Sequence, residues 1–134
     1  MMENEGARLI KNCLETPDGT ILQSRHRHDY KAYTDANGKE YMIDGGLSYV
    51  RSSAHGDEIH HCVWDDEPFN KVREALEWGT YGINGDQPLT YVKLCDMSTD
   101  HIQAIMGSIP SLLPQFKKAM NLELELREIK EEYE

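Results

Sequence analysis

Four turn signals crowd the first half of the chain: Pro17-Asp18-Gly19, Asn37-Gly38, Asp44-Gly45-Gly46 and His55-Gly56-Asp57. Proline presets one backbone dihedral and glycine accepts positive φ, so each signal reverses the chain. The segments between them are short. Residues 8–14, 20–24, 30–34 and 40–43 read as strands, the last two closed into a hairpin by Asn37-Gly38. Residues 47–51 and 59–64 read as a further hairpin around His55-Gly56-Asp57.

From about residue 65 the apolar period changes from two to that of a helix. Asp65 and Asp66 precede Pro68 as an N-terminal cap and first turn, with Phe69, Val72, Ala75 and Leu76 on one face and a stop at Gly79. A strand follows near 89–94. Ser98 caps a short helix that ends at Gly107, and a long helix runs from about Leu112 to about Glu132. The expected class is α+β: an antiparallel β-meander over 8–64, then a mainly helical part over 65–134. A length of 134 residues suits one domain over 1–134, with residues 1–7 flexible.

The long helix carries two stripes. Leu113, Phe116, Met120 and Leu124 form one; Ala119, Leu122, Leu126, Ile129 and Tyr133 form the other. The second follows a heptad pattern for about two heptads. One stripe serves the protein's own core. The other predicts a homo-oligomer formed through the C-terminal helix, unless one wide stripe packs entirely within the monomer.

Bulk properties narrow the function. No apolar run approaches the ~20 residues of a membrane span, and the first residues lack the order of an export signal, so a cytoplasmic location is expected. Cys13, Cys62 and Cys95 are odd in number and far apart, which suits free thiols. A net charge of -10 repels nucleic acid polymers and anionic membranes. Five basic residues nevertheless cluster from Arg25 to Arg51: Arg25, Arg27, Lys31, Lys39 and Arg51. A local basic pocket in an acidic protein fits a small anion.

Within that cluster, Arg25 and Arg27 flank His26, and guanidinium forks suit phosphate oxygens. On a strand the two arginines share one face, and His26 and His28 the other. His26, His28, His60 and Cys62 are acceptable zinc ligands, but their spacing matches no zinc signature, so no metal and no cofactor is expected. Cys62 and His61 face apart on a strand and form no thiol–imidazole pair. Gly79 to Gly85 lacks the lysine of a phosphate-cradling loop. A binder is expected rather than an enzyme. Trp78 and Tyr81, on the glycine-rich WGTYG segment, are candidate stacking faces for a base.

Two stretches carry a resemblance. HRHDY followed by IDGGLSYVR, over 21–51, resembles small phage-encoded proteins with a histidine-aspartate-aromatic motif, then Asp-Gly-Gly, a tyrosine and an arginine. Many of those hold cysteine pairs like a zinc ribbon. Here Pro17-Asp18-Gly19 and Ala36-Asn37-Gly38 stand at those places. WGTYG, QPLTYVKL and DMSTDHIQAI, over 78–105, look like a region common in phage and prophage accessory proteins. The layout is similar to the phage anti-Thoeris sponges. That resemblance implies an oligomer that binds a cyclic ADP-ribose or cyclic oligonucleotide signal in the host cytoplasm during infection, without cleaving it. It carries over Arg27 for phosphate and Tyr81 for the base, and matches no second phosphate-binding arginine in the C-terminal half.

The expected site is therefore Arg25, Arg27 and His28 for phosphates, Arg51 as a further cation, Asp44 for a ribose hydroxyl, and Tyr81 or Trp78 for the base. The alternative is an acidic protein–protein interaction factor that blocks a host protein through Asp65, Asp66 and Glu67 or through Glu123, Glu125 and Glu128.

Overall fold

A computed structural model describes residues 6–82 and 84–133; the side chains of Glu132 and Tyr133 lie outside the description. Residues 1–5 of the expected flexible segment are also outside it. The chain forms two compact units, the first ending at Glu67 and the second beginning at Pro68. The boundary coincides with the switch from β to α.

The first unit is built on β1 (Leu9–Glu15), whose side chains are buried on both faces at Leu9, Ile10, Asn12, Cys13 and Leu14. β2 (Ile21–Ser24) pairs antiparallel with it, from Asn12 opposite Ser24 to Glu15 opposite Ile21. A second sheet holds β3 (Lys31–Thr34), β4 (Glu40–Asp44) and β5 (Arg51–Ser52), all antiparallel. β4 alternates, so Tyr41 and Ile43 point inward and join Leu14, Leu22 and Tyr33 in the core.

The hairpin expected around His55-Gly56-Asp57 does not form. β5 pairs with β4, whereas β6 (Ile59–His60) and β7 (Val63–Trp64) both return to β1. Side chains hold the connecting segment as a crossover between the sheets. Glu58 accepts the backbone N–H groups of His55 and Gly56, each at 3.0 Å. Asp57 accepts Lys39 Nζ at 2.8 Å and the Tyr41 hydroxyl at 2.9 Å.

The turns at Pro17-Asp18-Gly19 and Ala36-Asn37-Gly38 are also closed by carboxylates. Asp18 accepts the Thr20 N–H at 3.2 Å, the Thr16 hydroxyl, and the Tyr33 hydroxyl at 2.6 Å. Asp35 accepts the N–H groups of Asn37 and Lys39, each at 2.9 Å. Tyr33 thus ties the first turn to the strand that enters the second.

These bonds predict an acid-sensitive first unit. The Thr16, Tyr33 and Thr20 bonds hold Asp18 well below the usual carboxylate range. Burial opposes ionisation of Glu58, but the His55 N–H, the Ser53 hydroxyl and other bonds bring its pKa down to about 2. A folded-state pKa below the unfolded one gives stability that is full above the unfolded value and lost as pH falls through the folded value. The melting temperature is expected to be flat from neutral pH down to about pH 5 and to fall steeply from about pH 4 toward pH 2. Thermal unfolding followed across that range checks it. A flat profile to pH 2 would show that these carboxylates do not hold the turns.

In the second unit, α1 (Phe69–Ala75) starts after Pro68 with no side-chain cap. Asp65 is instead turned back toward the residue before β1, accepting the Arg8 N–H at 2.8 Å. The helix stops at Ala75, earlier than expected, and 77–80 extend as β8 (Glu77–Thr80) against β9 (Thr90–Lys93), with Trp78 opposite Val92 and Gly79 opposite Tyr91. Trp78, Gly79 and Thr80 are therefore strand residues. A single 3-10 turn, Leu94–Asp96, leads to α2 (Thr99–Ser108), where the Ser98 hydroxyl accepts the His101 N–H as expected of a cap. Gly107 lies inside the last turn. The long helix is α3 (Pro114–Tyr133).

On α3 the buried side chains are Gln115, Phe116, Ala119, Met120 and Glu123, whereas Leu122 and Ile129, and Leu113 just before the helix, are exposed. The two expected stripes therefore divide differently: Leu113 leaves the core face, and Ala119 joins it. The side chain of Tyr133 is outside the described residues. Among the described residues no helix is long and apolar enough to cross a membrane.

Candidate functional site

The HRHD segment is a turn between the strands expected over 20–24 and 30–34. β2 ends at Ser24, and the Asp29 N–H reaches back to the His26 carbonyl at 2.9 Å. Strand alternation therefore does not apply, and Arg25 and Arg27 do not share a face by register. The turn is closed by its own aspartate: Asp29 accepts the Arg25 N–H at 2.8 Å and lies 3.1 Å from Lys31 Nζ. Burial opposes the Asp29 charge, but the Arg25 N–H and the Lys31 ammonium prevail and hold its pKa low.

A second segment, distant in sequence, braces this turn. Ser24 donates its hydroxyl to the Asp29 carbonyl at 2.7 Å and accepts the Gly46 N–H at 2.8 Å. Asn12, fully buried on β1, directs its amide at the carbonyls of Asp44, Gly46 and Tyr49, at 3.0, 2.9 and 3.2 Å. Gly46 lies so close to the turn that a Cβ there would stand 2.2 Å from the His26 carbonyl carbon. Much of the HDY…DGG pattern is thus explained by construction: Asp29 closes the turn and the glycine lets the two backbones meet.

What this frame presents outward is a guanidinium between two imidazoles. His26, Arg27 and His28 are exposed, and with Asp29 they line an open depression of about 410 Å³. Arg27 and the two imidazoles have no hydrogen-bond partner among the described residues. A guanidinium free to form a bidentate pair, on a turn fixed from beneath, is suited to phosphate or carboxylate oxygens.

The other expected residues divide. Arg25 is half-buried and its guanidinium is 3.4 Å from Gln23, so it is partly committed. Arg51 is exposed and paired with Asp44 at 3.0 Å. Asp44 also accepts the Gly45 N–H at 2.8 Å, so its carboxylate builds the glycine turn instead of waiting for a ribose hydroxyl. Trp78 and Tyr81 belong to the second unit. Trp78 is half-buried and meets Phe116 edge-to-face at 6.1 Å, a packing role. Tyr81, just beyond β8, is 56% exposed and remains available as a stacking face.

The arginines of the C-terminal half are structural. Arg73 makes a bidentate pair with Glu123, both bonds at 2.8 Å, and Arg127 adds a third at 2.9 Å. Arg127 also reaches the Thr99 hydroxyl and the Leu94 carbonyl. Glu123 is fully buried, so it is no part of an acidic docking ridge; Glu125 and Glu128 are exposed.

Among the described residues no group of His, Cys, Asp and Glu is arranged to hold a metal ion. His61 turns to Glu15 at 2.9 Å, while Cys62 points to Asn12 and the Cys13 carbonyl, and burial raises its thiol pKa. The pair is thus directed apart. Sequence reasoning missed Asn12 and Ser24, because nothing marks a polar strand residue as a bridge between loops. It also missed a cleft of about 750 Å³ in the second unit, between Thr80, Gly82 and Val92 on one wall and the start of α2 on the other.

Comparison of the chain with protein-family models, with curated proteins and with solved structures returned no match.

Proposed function

We propose that the protein is a non-catalytic binder that captures a small phosphate-bearing signal at the His26–Asp29 turn. The observation that carries this reading is Arg27: an exposed guanidinium without a partner among the described residues, between two imidazoles, on a turn pinned by Ser24, Asp29 and Gly46. The frame is already closed, so little ordering opposes binding. The ligand class follows from the phage resemblance: a cyclic ADP-ribose or cyclic nucleotide signal, held intact in the host cytoplasm by a self-associating protein. The net charge of -10 favours a small anion over a nucleic acid polymer, which meets the whole surface.

The test is a thermal-shift screen against cyclic dinucleotides, cyclic trinucleotides and cyclic ADP-ribose isomers. A ligand at 100-fold its dissociation constant adds ~2.7 kcal/mol and raises the melting temperature by several degrees. Arg27→Ala is expected to abolish the shift while leaving the unliganded melting temperature within about 2 °C. Recovery of unaltered ligand after denaturation separates capture from turnover. A shift that survives Arg27→Ala, or no shift across the panel, would overturn the reading.

A further inference from the structure

Building on the anion capture proposed above, we infer that His26 and His28 make that capture proton-coupled: the turn takes up protons as an anion binds beside Arg27, and binding tightens as pH falls. Both imidazoles are exposed on the segment that lines the depression, and neither ring has a hydrogen-bond partner among the described residues. Both nitrogens of each ring are therefore open to a ligand. A neutral imidazole offers one N–H and one lone pair, and the lone pair repels an anion. A protonated imidazole offers two N–H donors and a positive charge. Histidine is the side chain whose ordinary charge change falls between about pH 5 and pH 8.

The charged neighbours of the two rings are Arg25, Arg27 and Asp29 on the turn and Lys31 on β3. Asp29 is the one carboxylate of the turn, and it is already engaged by the Arg25 N–H at 2.8 Å and by Lys31 Nζ at 3.1 Å. In the glycine segment packed against the turn, Asp44 and Arg51 pair with each other at 3.0 Å, and Gly46 brings no side chain. β1 contributes only the neutral amide of Asn12. The free turn thus commits no carboxylate to either imidazole, and a bound anion supplies that counter-charge. An opposite charge within about 4–6 Å favours the protonated ring. By linkage, a group whose pKa rises on binding adds affinity that is full below its free value and lost as pH rises through its bound value. The gain is largest for a doubly charged group, because Coulomb attraction scales with charge.

Sulfate is the probe, because its own charge is constant from about pH 8 to about pH 5.5, where histidine titrates. The fold is expected to hold over that range, since melting stays flat down to about pH 5. Amide chemical-shift titration of the full chain at constant ionic strength measures the dissociation constant at both ends. It is expected to fall about tenfold toward acid, the low end for coupled sites because both rings are exposed. The ring signals of His26 and His28 are expected to titrate at higher pH with saturating sulfate than without it, unlike those of His55, His60, His61 and His101. The double variant His26→Gln, His28→Gln keeps those four histidines and the change in net charge that they bring. It is expected to lose the tenfold gain, with an amide spectrum that shows it folded. Arg27→Ala is expected to lose sulfate at both pH values. Equal dissociation constants at the two pH values, or a gain that survives in the double variant, would overturn the coupling. Sulfate that binds at neither pH would overturn it as well. None of these outcomes decides whether a nucleotide signal is captured, which the ligand panel with Arg27→Ala settles separately.

Discussion

Gly46→Ala is expected to lower stability by about 3 kcal/mol and to remove the proposed anion capture, although residue 46 does not line the His26–Asp29 depression. Two costs combine. Gly46 has φ +55, in the left-handed region where an L side chain costs about 1 kcal/mol. The added Cβ would also stand 2.2 Å from the His26 carbonyl carbon and 2.4 Å from its oxygen. These are backbone atoms, so no side chain can swing aside. The turn cannot retreat cheaply either, because Ser24 holds both the Gly46 N–H and the Asp29 carbonyl, and Asn12 holds the Gly46 carbonyl from below. Relief requires breaking at least one of these bonds, which leaves a buried polar group unpaired.

Gly19→Ala supplies the comparison. Gly19 also has positive φ, at +87, but nothing lies within 4 Å of its hypothetical Cβ. It should cost only the backbone preference, about 1 kcal/mol, and leave binding intact. Chemical denaturation of both variants, with thermal shift in the presence of ligand, measures the difference. Equal losses would mean that close packing of Gly46 on His26 does not set the turn.

The contrast between these glycines shows what was legible in the sequence. Both announce a turn, and the turns at Pro17-Asp18-Gly19, Asn37-Gly38 and Asp44-Gly45-Gly46 form where expected, as do the strands between them. Local chemistry decides such features. Which strand a segment joins is decided elsewhere: β5 and β6 separate into different sheets because Asp57 and Glu58 hold the crossover with bonds to Lys39, Tyr41, His55 and Gly56. Similarly, Arg27 was legible as a candidate from residue type alone. That Arg25 is partly committed, and that Asp44 is occupied, depends on partners brought together by the fold. The face shared by Arg25 and Arg27 held only if 25–29 were extended; Asp29 closes that stretch as a turn, and Ser24 and Gly46 brace it from outside.

Glu123 is the clearest case of a residue whose role composition conceals, and Glu123→Ala is expected to cost the second unit about 3 kcal/mol. In sequence it is one carboxylate among several on a charged helix. In the fold it is fully buried and receives three hydrogen bonds from Arg73 and Arg127, all between 2.8 and 2.9 Å. Burial pushes its pKa upward, but the bonds and charge of the two guanidinium groups outweigh that and hold it low, so the carboxylate is ionised at neutral pH. Removing it leaves two arginines, each about a fifth exposed, facing a cavity and each other. Partial solvent access and the remaining bonds of Arg127 to Thr99 and Leu94 moderate the loss, which places it at the lower end for a broken buried pair. The melting temperature should fall by about 10 °C or more. Glu123→Gln keeps the shape but not the charge and should cost about half as much. Because the folded pKa is depressed, the contribution is full above the ordinary glutamate value and lost as pH falls through the folded value. Glu123→Gln, which cannot titrate, should therefore show a shallower acid limb than the wild-type chain. Thermal melts of the three proteins at neutral pH and near pH 3 decide it. An alanine variant within 1 kcal/mol of wild type, by the same denaturation analysis, would reduce the triad to a surface ion pair of the kind that contributes ~0–1 kcal/mol.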